Sequence, residues 1–134
     1  MRYLIDTQIA IWAKENSPRL TPAVRDILED LDNDIFISQF SLQELVIKHQ
    51  IGKLPGFIVR VSDFAQQLFD DGFLLLPISN DQLFSYQRIP FYDDHRDPFD
   101  RFLAATALAE NMIFITADEK LERYQPLIQL LIAR

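Results

Sequence analysis

The stretch RYLIDT (Arg2–Thr7) is a short apolar run that ends in two polar residues. Similar apolar runs recur further along the chain, at residues 35–38, 73–76, 113–115 and 127–132. Short continuous apolar runs are typical of strands that are buried on both faces of a parallel sheet. The first run therefore predicts the opening strand of a mainly parallel, five-stranded sheet.

Helical patterns separate these runs. Thr21 followed by Pro22 is typical of a helix start, with a capping side chain and then a proline in the first turn. Apolar residues at helical spacing extend this helix to Leu31. Further helices are predicted directly after Asp6 and at residues 38–51, 57–71, 80–87, 98–110 and 118–124. Alternating strands and helices of this kind predict an α/β fold.

Length and composition limit the classes of function. With 134 residues, 49% of them hydrophobic and 25% charged, we expect one globular domain over residues 1–134. No apolar run is long enough to span a bilayer and no secretory signal is visible, so we expect a cytoplasmic protein without a membrane role. The absence of cysteine excludes thiolate sites, and the presence of only two histidines disfavours a zinc site.

The chain is acidic, with a formal net charge of -7. Proteins that coat DNA or RNA rely on a basic surface, so this class is disfavoured. The surplus acids either form a solvated surface or are partly gathered in one place, where a cation neutralises them.

Several acids stand beside the ends of predicted elements. Asp6 follows the first strand, Asp118 follows the fourth, and Glu44 lies about two helical turns beyond the second. Asp97 and Asp100 begin the helix that precedes the fourth strand. Ligands of open parallel sheets bind beyond the carboxyl ends of the strands, so this arrangement could bring the acids together.

Each acid also has a purely structural interpretation. Glu44 could belong to a capping box with Ser41, or form an i,i+4 pair with Lys48. Asp100 is an acid in the first turn of a helix, where the helix dipole favours it. The aspartates that could cap the helices after them are Asp6, Asp97 and Asp118.

If the carboxylates are instead packed together, they need a partner. Four such groups would repel one another by several kcal/mol unless some were protonated or a cation were bound. Oxygen ligands without cysteine or a histidine cluster favour Mg²⁺ or Mn²⁺ over zinc.

Four segments of the chain form a recognisable set in a fixed order. They are YLIDTQIAIW (3–12), SLQELVIK (41–48) with GKL (52–54), HRDPFDR (95–101) continuing through residues 104–105, and FITAD (114–118). Together they resemble the PIN-domain family, and within it the VapC-like toxins of bacterial type II toxin–antitoxin modules. The resemblance spans the chain from end to end. It implies a PIN-like three-layer α/β/α sandwich with a central, mainly parallel sheet.

The resemblance also implies a Mg²⁺- or Mn²⁺-dependent ribonuclease with a site of clustered acids. The metal-binding acids that it implies are Asp6, Glu44, Asp100 and Asp118. Asp97 is a further candidate. An RNA substrate, a cognate antitoxin that covers the active site and a homodimer are implied as well. Close relatives usually have a histidine where this chain has Gln8, and a glutamine cannot become cationic.

Other polar residues near the acids have two possible roles each. Thr7 and Thr116 could contact the metal-binding acids through their hydroxyls, or they could cap the local backbone. Lys48 and Arg101 could bind flanking phosphates of the substrate, or they could belong to a solvated surface. We interpret His95 as a loop residue that forms hydrogen bonds rather than as a catalytic base.

Two other functions stay open from the sequence. The chain could be a protein-interaction module whose acidic site is catalytically weak or inactive. It could also be a DNA-directed flap nuclease of the wider PIN group, which is disfavoured because 134 residues leave no room for an added helical arch. No motif that reads bases is visible, so the RNA target is not specified.

Overall fold

The computed structural model describes residues 1–133, and within them the strands form one parallel sheet. The strand order is β3-β2-β1-β4-β5, and every neighbouring pair is parallel. The strands are β1 (Arg2–Ile5), β2 (Asp34–Ser38), β3 (Leu74–Leu76), β4 (Ile113–Thr116) and β5 (Gln129–Ile132). The predicted five-stranded parallel sheet is confirmed, with β1 at its centre.

Helices cover both faces of this sheet. The α-helices in the described part of the chain are α1 (Thr7–Glu15), α2 (Pro22–Glu29), α3 (Gln39–Gln50), α4 (Val61–Asp70), α5 (Asn80–Ser85) and α6 (Pro98–Glu110). Tyr3 and Ile5 of β1 pack into a core with α1, α2, α3 and α4, whereas Leu4 between them packs into a second core with α6. This alternation places one hydrophobic core on each face. The predicted three-layer α/β/α sandwich is therefore confirmed.

Short 3₁₀ helices complete the framework, at Tyr86–Arg88 and Glu119–Tyr124. The second of them is the short helix predicted at 118–124, with Asp118 as its capping residue. No helix among residues 1–133 combines the length and the apolar character that a membrane span requires.

The helix predicted to begin at Phe57 begins at Val61 instead. Gly56 follows Pro55 and adopts a φ of 87°, which takes the backbone out of the helical region. Phe57 still contributes to the core, because its ring packs edge-on against Phe64 with 5.2 Å between the ring centroids. The apolar spacing therefore indicates burial correctly, but the turn delays the start of the helix.

The cap of α3 bears on the role of Glu44. Ser38 is the capping residue, and its Oγ accepts a hydrogen bond from the backbone N–H of Phe40 at 3.0 Å. Ser41 lies inside the helix, is buried, and its Oγ has no hydrogen-bond partner within the described residues. The capping-box interpretation of Glu44 is therefore wrong, and helix capping does not explain this buried acid.

Candidate active site

A pocket at the carboxyl ends of the central strands brings the four predicted acids together. Asp6 directly follows β1, and Asp118 stands two residues beyond β4. Glu44 comes from α3 and Asp100 from the first turn of α6. All four line the same pocket, at the edge of a parallel sheet where ligands usually bind.

The carboxylate of Asp6 is held by three hydrogen bonds. Its Oδ1 accepts the backbone N–H of Ile9 at 2.8 Å, which caps α1. Its Oδ2 accepts the hydroxyl of Thr116 at 2.5 Å and the backbone N–H of Ala117 at 3.3 Å. Burial raises the pKa of Asp6, although these hydrogen bonds oppose the rise. Asp6 thus has both the structural role and the site position that the sequence suggests.

Glu44 is held by two of the residues predicted to surround the site. Its Oε1 accepts the hydroxyl of Thr7 at 2.6 Å, and its Oε2 accepts the ammonium of Lys48 at 2.6 Å. Burial alone would lower the pKa of Lys48, but the hydrogen bond and the charge of Glu44 outweigh it and raise the pKa. Lys48 therefore remains cationic at neutral pH, and it lines the pocket.

Asp97 and Asp100 stand together at the start of α6. Oδ1 of Asp97 caps the helix by accepting the backbone N–H groups of Phe99 at 2.9 Å and Asp100 at 3.4 Å. Burial, together with the negative charges of Asp97, Asp6, Asp118 and Glu44, raises the pKa of Asp100 to about 8. The metal-free site therefore retains a proton on Asp100 at neutral pH.

The two carboxylate oxygens of Asp118 have different neighbours. Oδ1 caps the 3₁₀ helix Glu119–Tyr124 by accepting the backbone N–H of Lys120 at 2.9 Å. Oδ2 lies 3.5 Å from Nε2 of His95. The predicted caps at Asp6, Asp97 and Asp118 all exist, and in Asp6 and Asp118 the cap uses one oxygen while the other turns to a different partner.

The interpretation of His95 as a loop residue that forms hydrogen bonds is confirmed, but its position beside the acids was not predicted. Its side chain is only 4% exposed, and Nδ1 lies 2.7 Å from the hydroxyl of Tyr124. Nε2 lies 3.6 Å from Oδ2 of Asp100, in addition to its approach to Asp118. The short spacing between His95 and Asp100 in HRDPFDR is the signal in the sequence that links this loop to the acids.

Arg101 is buried and does not line the pocket, so its position matches neither of the roles considered for it, a phosphate contact or a solvated surface residue. Its side chain is buried, and the guanidinium donates to the carbonyls of Pro90 at 2.7 Å and Ile89 at 3.3 Å. It also contacts the hydroxyls of Tyr86 at 3.3 Å and Tyr124 at 3.4 Å. Arg101 follows Asp100 by one residue on a helix, which directs the two side chains about 100° apart.

The donor set fits a hard divalent cation. Carboxylate oxygens of Asp100 and Asp118 and a ring nitrogen of His95 lie within 4.8 Å of one another. Asp6 and Glu44 line the same pocket as Asp100 and Asp118. Carboxylate oxygens are the ligands that Mg²⁺ and Mn²⁺ prefer. Burial is the main cause of the raised pKa values of Asp6 and Asp100, and the negative charges of neighbouring acids add to it. Gln8 also lines the pocket, at the position where the family resemblance implies a histidine.

Solved structures of bacterial toxin–antitoxin proteins share this fold. The chain is similar to VapBC2 from Rickettsia felis bound to a DNA fragment from its promoter, with 21% identity, a TM-score of 0.73 and 100% of both chains covered. For DNA-bound VapBC from Salmonella typhimurium the identity is 16%, the TM-score 0.69 and the coverage 100% of this chain and 99% of that one. For VapBC-5 from Mycobacterium tuberculosis the identity is 18% and the TM-score 0.66, with 99% of this chain and 98% of that one covered.

Sequence comparison gives the family. No curated protein sequence matches the chain significantly. A family model of the PIN domain, however, matches residues 3–126, a range that includes every acid of the pocket. Since this match covers nearly the whole chain and the fold agrees with it, the chain belongs to the PIN-domain family.

Proposed function

We propose that this protein is a Mg²⁺- or Mn²⁺-dependent endoribonuclease that acts as the toxin of a toxin–antitoxin module. The observation that carries the proposal is the single pocket lined by Asp6, Glu44, Asp100 and Asp118. PIN-domain membership and the likeness to VapBC structures support it. A phosphodiester is the substrate class that such a site suits, because a cation held by acids can bind phosphate oxygens.

The acids that would hold the cation are Asp6, Asp100, Asp118 and Glu44. The chemistry that a bound divalent cation supplies is polarisation of a phosphoryl oxygen and activation of an attacking water. The hydroxyls of Thr116 and Thr7 fix one oxygen each of Asp6 and Glu44 before any substrate arrives. Carboxylates oriented in advance in this way bind metal more tightly than free-moving ones.

Lys48 is the basic residue in the pocket lining and the candidate contact for a substrate phosphate. With so little positive charge at the site, RNA binding should depend only weakly on salt. The test is to measure the association constant of the wild type for RNA, in EDTA, at several salt concentrations. A plot of its logarithm against the logarithm of the salt concentration should have a slope no steeper than about -2, since each phosphate contact with a single strand contributes about -0.7. Fluorescence anisotropy of a labelled RNA measures this slope. A steeper slope would show a basic binding surface elsewhere.

We also propose a cognate antitoxin and a homodimer. The likeness to structures of VapBC toxin–antitoxin proteins supports the antitoxin, whereas the homodimer is proposed from the family resemblance alone. Ile51 and Ile58 are exposed and lie close in sequence to Leu54, which lines the pocket. An antitoxin segment that covered the pocket would bury this apolar surface. Light scattering of the purified protein, alone and with the product of the neighbouring gene, tests both partners.

Metal-dependent cleavage of RNA is the decisive test of the activity. We expect cleavage with Mg²⁺ or Mn²⁺, none with EDTA, and a loss of at least about 100-fold in Asp6→Asn and Asp100→Asn, because each removes an anionic ligand. Asparagine keeps the capping capacity of Asp6, so the Asp6→Asn variant should still fold. Asp32→Asn, at an exposed surface position, is the control for the change in net charge. Unchanged cleavage in both site variants would contradict the assignment.

The alternative function, an interaction module with a weak or inactive site, makes a different prediction in cells. Expression of the wild type is expected to arrest growth, and Asp100→Asn is expected to remove the arrest. Stable binding to a partner protein, without nuclease activity and without growth arrest, would favour the interaction module.

A further inference from the structure

One nitrogen beside the acids has no role in the function proposed above. Nε2 of His95 is buried, and it has no hydrogen-bond partner within residues 1–133. The nearest acceptors are Oδ2 of Asp118 at 3.5 Å and Oδ2 of Asp100 at 3.6 Å, just beyond a normal hydrogen bond. A buried polar nitrogen directed between two carboxylates requires an explanation.

The hydroxyl of Tyr124 determines which ring nitrogen of His95 carries the proton. Tyr124 is 1% exposed, so its hydroxyl hydrogen must find an acceptor inside the protein. In the described chain, the atoms within reach of this hydroxyl are Nδ1 of His95 at 2.7 Å and a guanidinium nitrogen of Arg101 at 3.4 Å. A guanidinium only donates, so Nδ1 is the acceptor and the proton of the neutral ring lies on Nε2.

The opposite tautomer would leave two groups in unfavourable surroundings. The Tyr124 hydroxyl would have no acceptor, and Nε2 would present a lone pair, instead of an N–H group, to the carboxylate of Asp118. With the proton on Nε2, each donor in the series has an acceptor: Arg101 donates to Tyr124, Tyr124 donates to His95, and His95 points its N–H at the acids.

We propose that His95 is a positioning residue, whose Nε2–H is held between the carboxylates of Asp100 and Asp118 by Tyr124 and Arg101. This inference rests on the proposed function, because it assigns His95 to the same metal site. When both acids are ionised, as they would be to hold a cation, the N–H group attracts Oδ2 of each and limits how far their mutual repulsion separates them. The remaining oxygens of the acids are then oriented for a cation. His95 acts through the acids and is not itself a metal ligand.

The tautomer is directly measurable in the metal-free protein. Nitrogen-15 NMR of the histidine rings in EDTA should show the neutral His95 ring with its proton on Nε2. His49, which is exposed, serves as the internal reference in the same spectrum. Tyr124→Phe removes the donor to Nδ1 and should shift the signals of His95 but not those of His49. A neutral His95 ring with its proton on Nδ1 would overturn the proposal.

Metal affinity tests the positioning role independently of cleavage. Calorimetric titration with Mn²⁺ should show affinity lowered roughly 10–100-fold in His95→Leu and by a smaller factor in Tyr124→Phe, as expected for residues that orient metal ligands. His95→Gln should recover much of the loss, because its amide N–H can replace the Nε2–H. Tyr86→Phe is the matched control, since it removes a hydroxyl bonded to Arg101 but not to His95. Equal affinity in wild type and His95→Leu would overturn the proposal.

Direct ligation by His95 is the competing outcome. Electron paramagnetic resonance of the Mn²⁺-loaded protein would then show a strongly coupled imidazole nitrogen, and His95→Gln would behave like His95→Leu. Either result overturns the positioning role. Failure of the proposed function looks different: the wild type would neither cleave RNA nor bind Mn²⁺ at this site, whatever the tautomer of His95 in EDTA.

Discussion

Replacing Asp100 by asparagine is expected to stabilise the metal-free protein at pH 8, although it should abolish the proposed activity. The pKa of Asp100 is raised to about 8, first by burial and then by the surrounding acids. In the unfolded chain the pKa of an aspartate is about 3.9. Ionising Asp100 is therefore far less favourable in the folded state than in the unfolded state. A neutral asparagine of the same shape avoids this penalty.

The stability that Asp100→Asn gains should depend on pH. Because the folded-state pKa is raised, stability is greatest below about pH 4 and is lost as the pH rises through about 8. A pKa shift of one unit corresponds to about 1.4 kcal/mol. The side chain of Asp100 is 26% exposed to solvent, and this exposure reduces the free-energy cost of ionising it. We expect Asp100→Asn to gain roughly 2–4 kcal/mol at pH 8 and almost nothing at pH 4.

Thermal unfolding in EDTA, followed by circular dichroism at both pH values, measures this gain. Added Mg²⁺ should raise the Tm of the wild type at pH 8 by clearly more than that of Asp100→Asn, because the variant lacks one of the four acids proposed to hold the cation. Asp32→Asn changes the net charge equally at an exposed position and should show neither effect. A metal-free Asp100→Asn protein that melts at or below the wild type at pH 8 would contradict the prediction.

Replacing Thr116 by valine is expected to weaken both folding and metal binding. The Thr116 hydroxyl is fully buried, donates to Oδ2 of Asp6 at 2.5 Å and accepts the backbone N–H of Asp118 at 3.1 Å. Valine has nearly the same shape but can make neither bond. A hydrogen bond to a charged group contributes roughly 1.5–3 kcal/mol, so we expect a loss of stability of that size. Metal affinity should fall roughly 10–100-fold, because Asp6 loses its orientation.

This loss should also depend on pH. The hydrogen bond from Thr116 lowers the pKa of Asp6, against the larger effect of burial, so it favours the ionised acid. Removing it raises the pKa further. The loss of stability in Thr116→Val should therefore be greatest at high pH and smallest where Asp6 is protonated in both proteins.

Thr106 offers a matched control for Thr116. It is equally buried, but its hydroxyl donates to the carbonyl of Phe102 within α6, at 2.8 Å. Thr106→Val should lose some stability without changing the affinity for Mn²⁺, which calorimetry measures. Thr116→Ser, which keeps the hydroxyl, should recover much of the affinity. If Thr106→Val and Thr116→Val lost metal affinity equally, a general packing defect rather than the bond to Asp6 would be the cause.

Much of the fold follows from local sequence signals. The short apolar runs predict the strands because a sheet covered on both faces buries successive residues of its central strands, as in Leu4 and Ile5 of β1, whereas Leu74 and Leu75 of the edge strand β3 are exposed. Asp97 followed by Pro98 predicts the start of α6 because the cap and the proline act within one turn. The late start of α4 was missed because the positive φ of Gly56 overrides the apolar spacing that continues through Phe57.

Prediction of the site was less complete, for a physical reason. The positions of Asp6 and Asp118 after strands are local properties, and the sequence reveals them. The partners of His95 are instead decided by tertiary packing, since the hydroxyl of Tyr124 comes from a different element. Arg101 was misplaced for a related reason. Its neighbours in sequence suggest the pocket, whereas the turn of α6 directs it to the carbonyls of Ile89 and Pro90.

The position of β1 in the sheet affects when the site can exist. β1 precedes the other four strands in the sequence, yet it is the central one, and Asp6 obtains its bond from Thr116 across 110 residues of chain. While the ribosome is still making the protein, Asp6 has emerged but α6 and β4 have not. For a protein proposed to cleave RNA, this order of synthesis means that the site is incomplete until the chain has been made at least as far as Thr116 and Asp118.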